Sequence, residues 1–340
     1  MINFAPREGH GDGVVYARQG SLGRIRLNRP AAINALDVAM VRSMQEQLAE
    51  WARDESIACL LIDGAGDRGL CAGGDIRAMH TAVTTSDHAA LDFWDLEYKL
   101  NATIASYRKP TVALMDGIVM GGGIGVAGYT TLRVVTERSR IAMPETGIGF
   151  FPDVGATFLL SRAPHQLGTH LALTGATVDG ATAIAAGLAD VQADDAEIAR
   201  LVEHLAGGGS LKVDHGSTPP APLANATWIG ECYTGNDASA IVQRLADHDD
   251  PDARAAAEVI RSRSPLSVAA TLAALRRAAT MSLVEVLDSD AVLARNFAER
   301  SDFAEGVRAQ IIDKDRNPRW QHASLAEVPA ELVESFFVAA

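Results

Sequence analysis

The sequence predicts an α/β core to about residue 205, followed by an α-helical C-terminal region. Three observations predict it. Up to residue 205, short β-type apolar runs alternate with longer segments of helical period, the pattern of strand–helix units. Two glycine-rich loops each follow a strand-like run and precede a helical one, at Cys71-Ala72-Gly73-Gly74-Asp75 and Met120-Gly121-Gly122-Gly123. The composition then shifts across 206–226, where glycine, serine and proline dominate as in a linker, and helical patterns fill 227–340.

Taken in order, residues Gly13 to Leu27 alternate and are broken at Gln19-Gly20-Ser21-Leu22-Gly23, which reads as a β-hairpin. Asp37 is placed to N-cap a helix with Met40, Met44, Leu48 and Trp51 on one stripe. ACLLIDGAG is a short buried strand, and a helix is expected from Asp75 onward. A second helix is expected over Asp87 to Ala105, ended by Pro110. TVALMDGIVM reads as one strand, the triple glycine as a loop entering a small-residue helix, and LRVVTERSRIAM as a further strand. Leucines from Leu159 to Leu173 continue an apolar helical region to Gly175, and two helices with VQAD between them are expected over Ala181 to Leu205.

The chain has 340 residues, 48% of them hydrophobic and 21% charged, which suits a globular protein of one large or two ordinary domains. The formal net charge of -13 argues against bulk binding to nucleic acid or to an anionic membrane, since both reward a basic face. No run is long, apolar and glycine-poor enough for a membrane helix, and the N-terminus lacks the apolar core of a signal peptide. Three scattered cysteines suggest no disulfide framework and a reducing, cytoplasmic setting. The nine histidines show no metal-ligand spacing, so no metal is expected. Neither a G-x-S-x-G elbow nor a G-x-x-x-x-G-K-[ST] phosphate loop is present.

What remains for chemistry is concentrated between Lys109 and Arg162. Glu145 and Asp153 are the only acids from Ile141 to Asp153. An acid in an apolar run is costly to bury charged, so its pKa tends to rise toward the range that general acid/base work requires. The competing reading is two surface-loop acids beside Pro144 and Pro152. The paired glycine loops can present backbone N–H groups with no Cβ in the way, so together they can form an oxyanion hole, or they are two tight turns. Gly123-x-Gly125-x-x-Gly128 also matches a dinucleotide-binding pattern, which would make the protein an oxidoreductase. Cys71 is either a nucleophile or a small buried side chain.

In combination and in order, NRPAAINAL, GLCAGGDI, KPTVALMDGIVMGGGIG and MPETGIGFFPDVGAT resemble the enoyl-CoA hydratase/isomerase (crotonase) superfamily over residues 13 to 205. MPETGIGFFPDVG, LALTG and EGVRAQIIDKDRNPRW are similar to its 3-hydroxyisobutyryl-CoA hydrolase branch, and carry the resemblance almost to the C-terminus. The resemblance implies a crotonase-like (ClpP/crotonase) fold of stacked ββα units. It implies a catalytic core over 1–205, a linker over 206–226, and a helical region over 227–340 covering the acyl pocket. It implies a thioester carbonyl held by the amides of Gly74 and Gly122, with Ala35, Leu36 and Asp75 along the CoA. Glu145 and Asp153 are implied as the catalytic acids, and Glu97 as an acid lining the substrate pocket, against a plain reading of Glu97 as a helix-surface residue. The superfamily's hydratases carry a first catalytic glutamate where this chain has Gly125, and usually a glycine where it has Asp153. One acid lost and one gained is the hydrolase pattern. The expected reaction is hydrolysis of a short branched 3-hydroxyacyl-CoA, as in valine breakdown, with CoA as part of the substrate and no cofactor. The alternatives are an enoyl-CoA hydratase or isomerase using Glu145, and a non-catalytic acyl-CoA-binding protein. The superfamily's trimers and hexamers make a homo-oligomer an open expectation.

Overall fold

A computed structural model describes residues 2–85, 89–212 and 220–338. The start of the expected helix at Asp87 and the linker residues 213–219 lie outside the described residues. Among the described residues there are nine strands: β1 (Ala5–Pro6), β2 (Val14–Gln19), β3 (Leu22–Leu27), β4 (Cys59–Gly64), β5 (Thr111–Met115), β6 (Ile118–Met120), β7 (Leu132–Val135), β8 (Arg140–Ala142) and β9 (Val191–Gln192). Seven of them form one sheet in the order β1-β2-β3-β4-β5-β7-β9, while β6 and β8 pair separately. The expected hairpin is β2–β3, antiparallel with Gln19 opposite Leu22. From β3 onward the large sheet is parallel, through β4, β5, β7 and β9.

A parallel sheet must be covered on both faces, so its strands read as nearly continuous apolar runs. On one face Leu22, Cys59, Leu61, Val112, Leu132 and Val134 pack with Leu205, and Ile198, Leu201 and Val202 of the helix Asp195–Ala206 close over them. On the other, the helix Val38–Arg53 lies so close to β3 that a Cβ on Gly23 would stand 2.8 Å from the Trp51 ring. Asp37 caps that helix as expected, accepting from the Met40 amide at 2.9 Å.

Four expectations are corrected. TVALMDGIVM is two strands, β5 and β6, because the chain turns at Gly117 (φ 63) and leaves the large sheet. LRVVTERSRIAM likewise divides into β7 and β8, the turn being fixed by the Ser139 hydroxyl, which accepts from the Thr136 amide and donates to the Met115 carbonyl. Val191–Gln192, expected only as part of the VQAD link between two helices, is a strand that pairs with β7. The helical region to Gly175 is broken into Ala156–Leu160, a 3-10 turn at Pro164–Gln166 and Leu167–Thr174, with His165 and Gln166 in the left-handed region.

The chain forms two compact units, each assembled from separated stretches: Met1–Asp75, Leu96–Ile141 and Val178–Pro220 in the first, Ile76–Asp95, Ala142–Thr177 and Ala221–Ala340 in the second. The first contains the large sheet. The second is helical, and six buried aromatics, Trp94, Phe150, Phe151, Phe297, Phe303 and Phe336, form one connected cluster in it.

Candidate active site

In the first unit, three stretches of backbone meet at the two glycine loops. Cys71 donates to the Ile118 carbonyl at 3.2 Å and accepts from the Met120 amide at 3.0 Å, which ties the first loop to β6 just before the triple glycine. Leu36 donates to the Gly73 carbonyl and accepts from the Asp75 amide, both at 2.8 Å. These bonds use the Gly73 carbonyl and the Asp75 amide, on either side of Gly74. Among the described residues the Gly74 amide itself takes part in no backbone hydrogen bond, and Gly122 is the first residue of the helix Gly122–Ala127, where an amide has no intrahelical acceptor. The two glycines adjoin. A Cβ on Gly122 would stand 3.4 Å from the Gly74 nitrogen and 3.3 Å from Leu36 Cδ1, and one on Gly73 would stand 3.6 Å from the Gly122 nitrogen. Two neighbouring amides left by the ladder are the raw material of an oxyanion hole.

Glu97 belongs to this cradle. Its carboxyl oxygen Oε1 occupies the space a Cβ on Gly122 would need, so a larger residue there would displace the Glu97 carboxyl group. The side chain is 2% exposed, which overturns the helix-surface reading. One turn on, Asn101 is fully buried as well. Asp75 pairs with Arg29 at 3.1 Å, and Arg29 also donates to the Ala35 carbonyl at 2.7 Å, so the segment ending at Leu36 is strapped to the first loop. Cys71 is buried, and burial pushes its thiol up to about 12, which removes the thiolate that a nucleophile requires. The dinucleotide reading loses two of its three glycine amides, since Gly125 and Gly128 donate to the Gly121 and Ile124 carbonyls within a fully buried turn.

In the second unit, Glu145 opens a 3-10 turn, Glu145–Ile148, and Asp153 follows eight residues later; both side chains are buried, at 7% and 6% exposure. The surface-loop reading is therefore set aside. The turn is anchored through Thr146, whose carbonyl accepts from the Ser264 amide at 3.2 Å. The Ser264 hydroxyl caps the helix Pro265–Ala278 and donates to Asp302 Oδ2 at 2.6 Å, while Asp302 Oδ1 accepts from the Gln321 amide at 2.7 Å. Between the two acids, Phe150 stacks on Trp94 with ring centres 5.1 Å apart, and Phe151 stacks on Phe297 at 5.4 Å. Apolar packing thus holds the segment that carries the carboxylates.

The sequence reading missed Asp290. It lies on the helix Leu283–Ala298 and is 1% exposed. Its Oδ2 accepts from the Gly155 amide at 2.7 Å, two residues beyond Asp153. Burial first, and then the charge of Asp153, hold its carboxyl well above the usual range, against the pull of the Gly155 amide. A signal for it existed. Val286, Leu287, Leu293, Ala294 and Phe297 form the buried stripe of that helix, and Asp290 sits at the missing position of the same stripe.

Among the described residues, no group of three or more His, Cys, Asp or Glu side chains is arranged to hold a metal ion, and no helix is long and apolar enough to cross a membrane. The chain is 39% identical to the mitochondrial 3-hydroxyisobutyryl-CoA hydrolase of Rattus norvegicus, over 95% of this chain and 88% of that protein. It resembles the crystal structure of a carnitinyl-CoA dehydratase from Mycobacterium thermoresistibile, with 43% identity, a TM-score of 0.91 and 97% of each chain covered. A crystal structure of an enoyl-CoA hydratase from Rhodobacter sphaeroides 2.4.1 matches at 41% identity and a TM-score of 0.91, over 96% of this chain and 97% of that one. The fold is thus the crotonase fold. The enoyl-CoA hydratase/isomerase family model matches residues 22–337, and with these relatives beside the two glycine loops and the buried acids, the chain belongs to that enzyme family.

Proposed function

We propose that the protein hydrolyses the thioester of a short branched 3-hydroxyacyl-CoA, 3-hydroxyisobutyryl-CoA first among them, to the free acid and CoA, with no metal or organic cofactor. The observation that carries this reading is the acid set. Buried Glu145 and Asp153 share one short segment, while Gly125, where a hydratase of the family would carry its first glutamate, is a buried helix residue with no side chain to offer. The name printed for the rat relative supports the same substrate class.

In this reading the amides of Gly74 and Gly122 donate to the thioester oxygen as it gains negative charge. Glu145 either attacks the carbonyl carbon or deprotonates a water that does. In the first route the C–S bond breaks as the new C–O bond forms, CoA leaves as the thiolate, and water then cleaves the mixed anhydride and restores the carboxylate. Both routes consume one water and release CoA and an acid. Single turnover in labelled water separates them, since only the anhydride route leaves label in the Glu145 carboxylate. Asp153 binds the substrate's 3-hydroxyl or positions the water, and Glu97 lines the acyl pocket beside Gly122.

A second reading, hydration of an enoyl-CoA with Glu145 alone moving protons, is favoured by what the two crystal structures are described as. A thiol-release assay decides: free CoA from 3-hydroxyisobutyryl-CoA, undiminished by a chelator, supports hydrolysis, whereas no release beside brisk hydration of crotonyl-CoA overturns it. The compartment is proposed as a reducing one, in keeping with three buried free thiols; the rat relative is named as mitochondrial.

A further inference from the structure

We propose that Asp290 is a positioning residue, which holds the corner from Asp153 to Gly155 and thereby aims the Asp153 carboxyl group. The inference rests on the reading of Asp153 as a substrate-side acid and adds to it a residue on a distant helix.

Two observations carry it. The corner does not support itself. Val154 (φ 53) and Gly155 (φ 75) are consecutive residues in the left-handed region, and a β-branched valine there is a genuine outlier that the surroundings must hold in place. The backbone around it is pinned at two points: the Asp153 carbonyl accepts from the Ala156 amide at 2.8 Å, and the Gly155 amide donates to Asp290 Oδ2 at 2.7 Å. The second observation is where Asp290 comes from. Its helix is set by a capping box at Ser282 and Glu285 and by the packing of Phe297 against Phe151, so the acceptor is delivered by a rigid element. A fully buried acid on an apolar stripe costs stability unless it is bonded, and a leucine would fill that stripe better. The cost is accounted for if the acid is needed at the corner.

Burial, and after it the nearby charge of Asp153, hold the Asp290 carboxyl well above the usual carboxylate range. Its Oδ2 is the acceptor for the Gly155 amide, and an asparagine side chain offers a carbonyl oxygen in the same place.

The test is a double-mutant cycle on kcat/KM with 3-hydroxyisobutyryl-CoA, each variant shown to be folded by circular dichroism. Asp290→Ala should lower turnover by about ten- to hundredfold, the range expected for a misplaced site group. In an Asp153→Asn background the same change should cost less than about threefold, because there is no longer a carboxylate to aim. Asp290→Asn should recover to within about threefold of the native protein. Equal losses from Asp290→Ala in both backgrounds would make Asp290 a stability residue only and end the proposal. So would normal turnover of Asp290→Ala beside a damaged Asp153→Asn. If Asp290→Ala does not fold, Asp290→Asn decides alone: a folded variant down more than tenfold overturns the proposal. A fully active Asp153→Asn instead overturns the reading of Asp153 on which it rests.

Discussion

Gly74 and Gly122 are placed by backbone hydrogen bonding, whereas Glu145 and Asp153 are placed by side-chain packing. In the first case the flanking amides and carbonyls of Leu36, Gly73, Cys71, Asp75 and Met120 are consumed by one another, and the two donors are what the ladder leaves over. In the second, a segment with little regular structure is held by stacked rings and by a buried Ser264–Asp302 pair. The first arrangement tolerates changes of side chain provided glycine stays where atoms crowd. The second depends on volumes, and on buried polar groups keeping their partners. The difference orders what each substitution should do.

Glu145→Gln should have the largest effect, since it preserves shape and removes the base or nucleophile. A loss of about 10²–10⁴ in kcat is expected on every acyl-CoA tested, with a normal melting temperature. Gly122→Pro should come next, at about 10²–10³, because it deletes one amide donor. The new ring also crowds Glu97 Oε1, so circular dichroism must first show a folded variant, and near-normal turnover in it would remove the glycine pair from the chemistry.

A third experiment turns to the packed unit. Burial lowers His170, whose Nδ1 lies 2.8 Å from the Tyr233 hydroxyl, to about 4. An unfolded histidine titrates near 6.5, so the unfolded chain binds a proton there that the folded chain refuses. Stability is therefore full above about pH 6.5 and falls as pH drops toward 4, by about 2 kcal/mol between pH 7 and pH 5 from this one group. Urea unfolding of His170→Gln should show a shallower loss over that interval than the native protein does. Identical slopes would show that His170 is not the group responsible. The smallest effect is expected at Cys71. Cys71→Ala should leave kcat within about threefold, as a buried neutral thiol contributes packing rather than reactivity. A collapse of turnover without unfolding would revive the nucleophile.

Asp153→Asn sharpens the comparison by substrate. If Asp153 bonds the 3-hydroxyl, kcat/KM should fall further for 3-hydroxyisobutyryl-CoA than for isobutyryl-CoA, and equal falls would assign the residue to water instead.

Local chemistry made a good deal legible in advance. The β2–β3 hairpin, the Asp37 cap and the two glycine loops depend on residues close together in sequence, so turn and cap chemistry sufficed to find them. The acids at Glu145 and Asp153 stood out because apolar neighbours isolate them. Strand ends were less legible. TVALMDGIVM has the same apolar character on both sides of Gly117, and only pairing partners elsewhere in the chain decide that β5 and β6 belong to different sheets. A helix-surface reading of Glu97 stayed open beside the pocket-lining one because nothing near it in sequence says that Gly122 will pack against its carboxyl group.

By itself, then, the sequence determined the alternation of strands and helices, the glycines that free two amides, and the carboxylates available for proton chemistry, because each follows from local propensity and spacing. Tertiary structure alone decided which amides the ladder leaves over, that Cys71 is too deeply buried to ionise, and that the Gly155 amide finds its acceptor on a helix, at a residue 135 positions further along the chain. Those outcomes depend on burial and on hydrogen-bond partners distant in the chain. Both are properties of the packed molecule, and no window of sequence contains them.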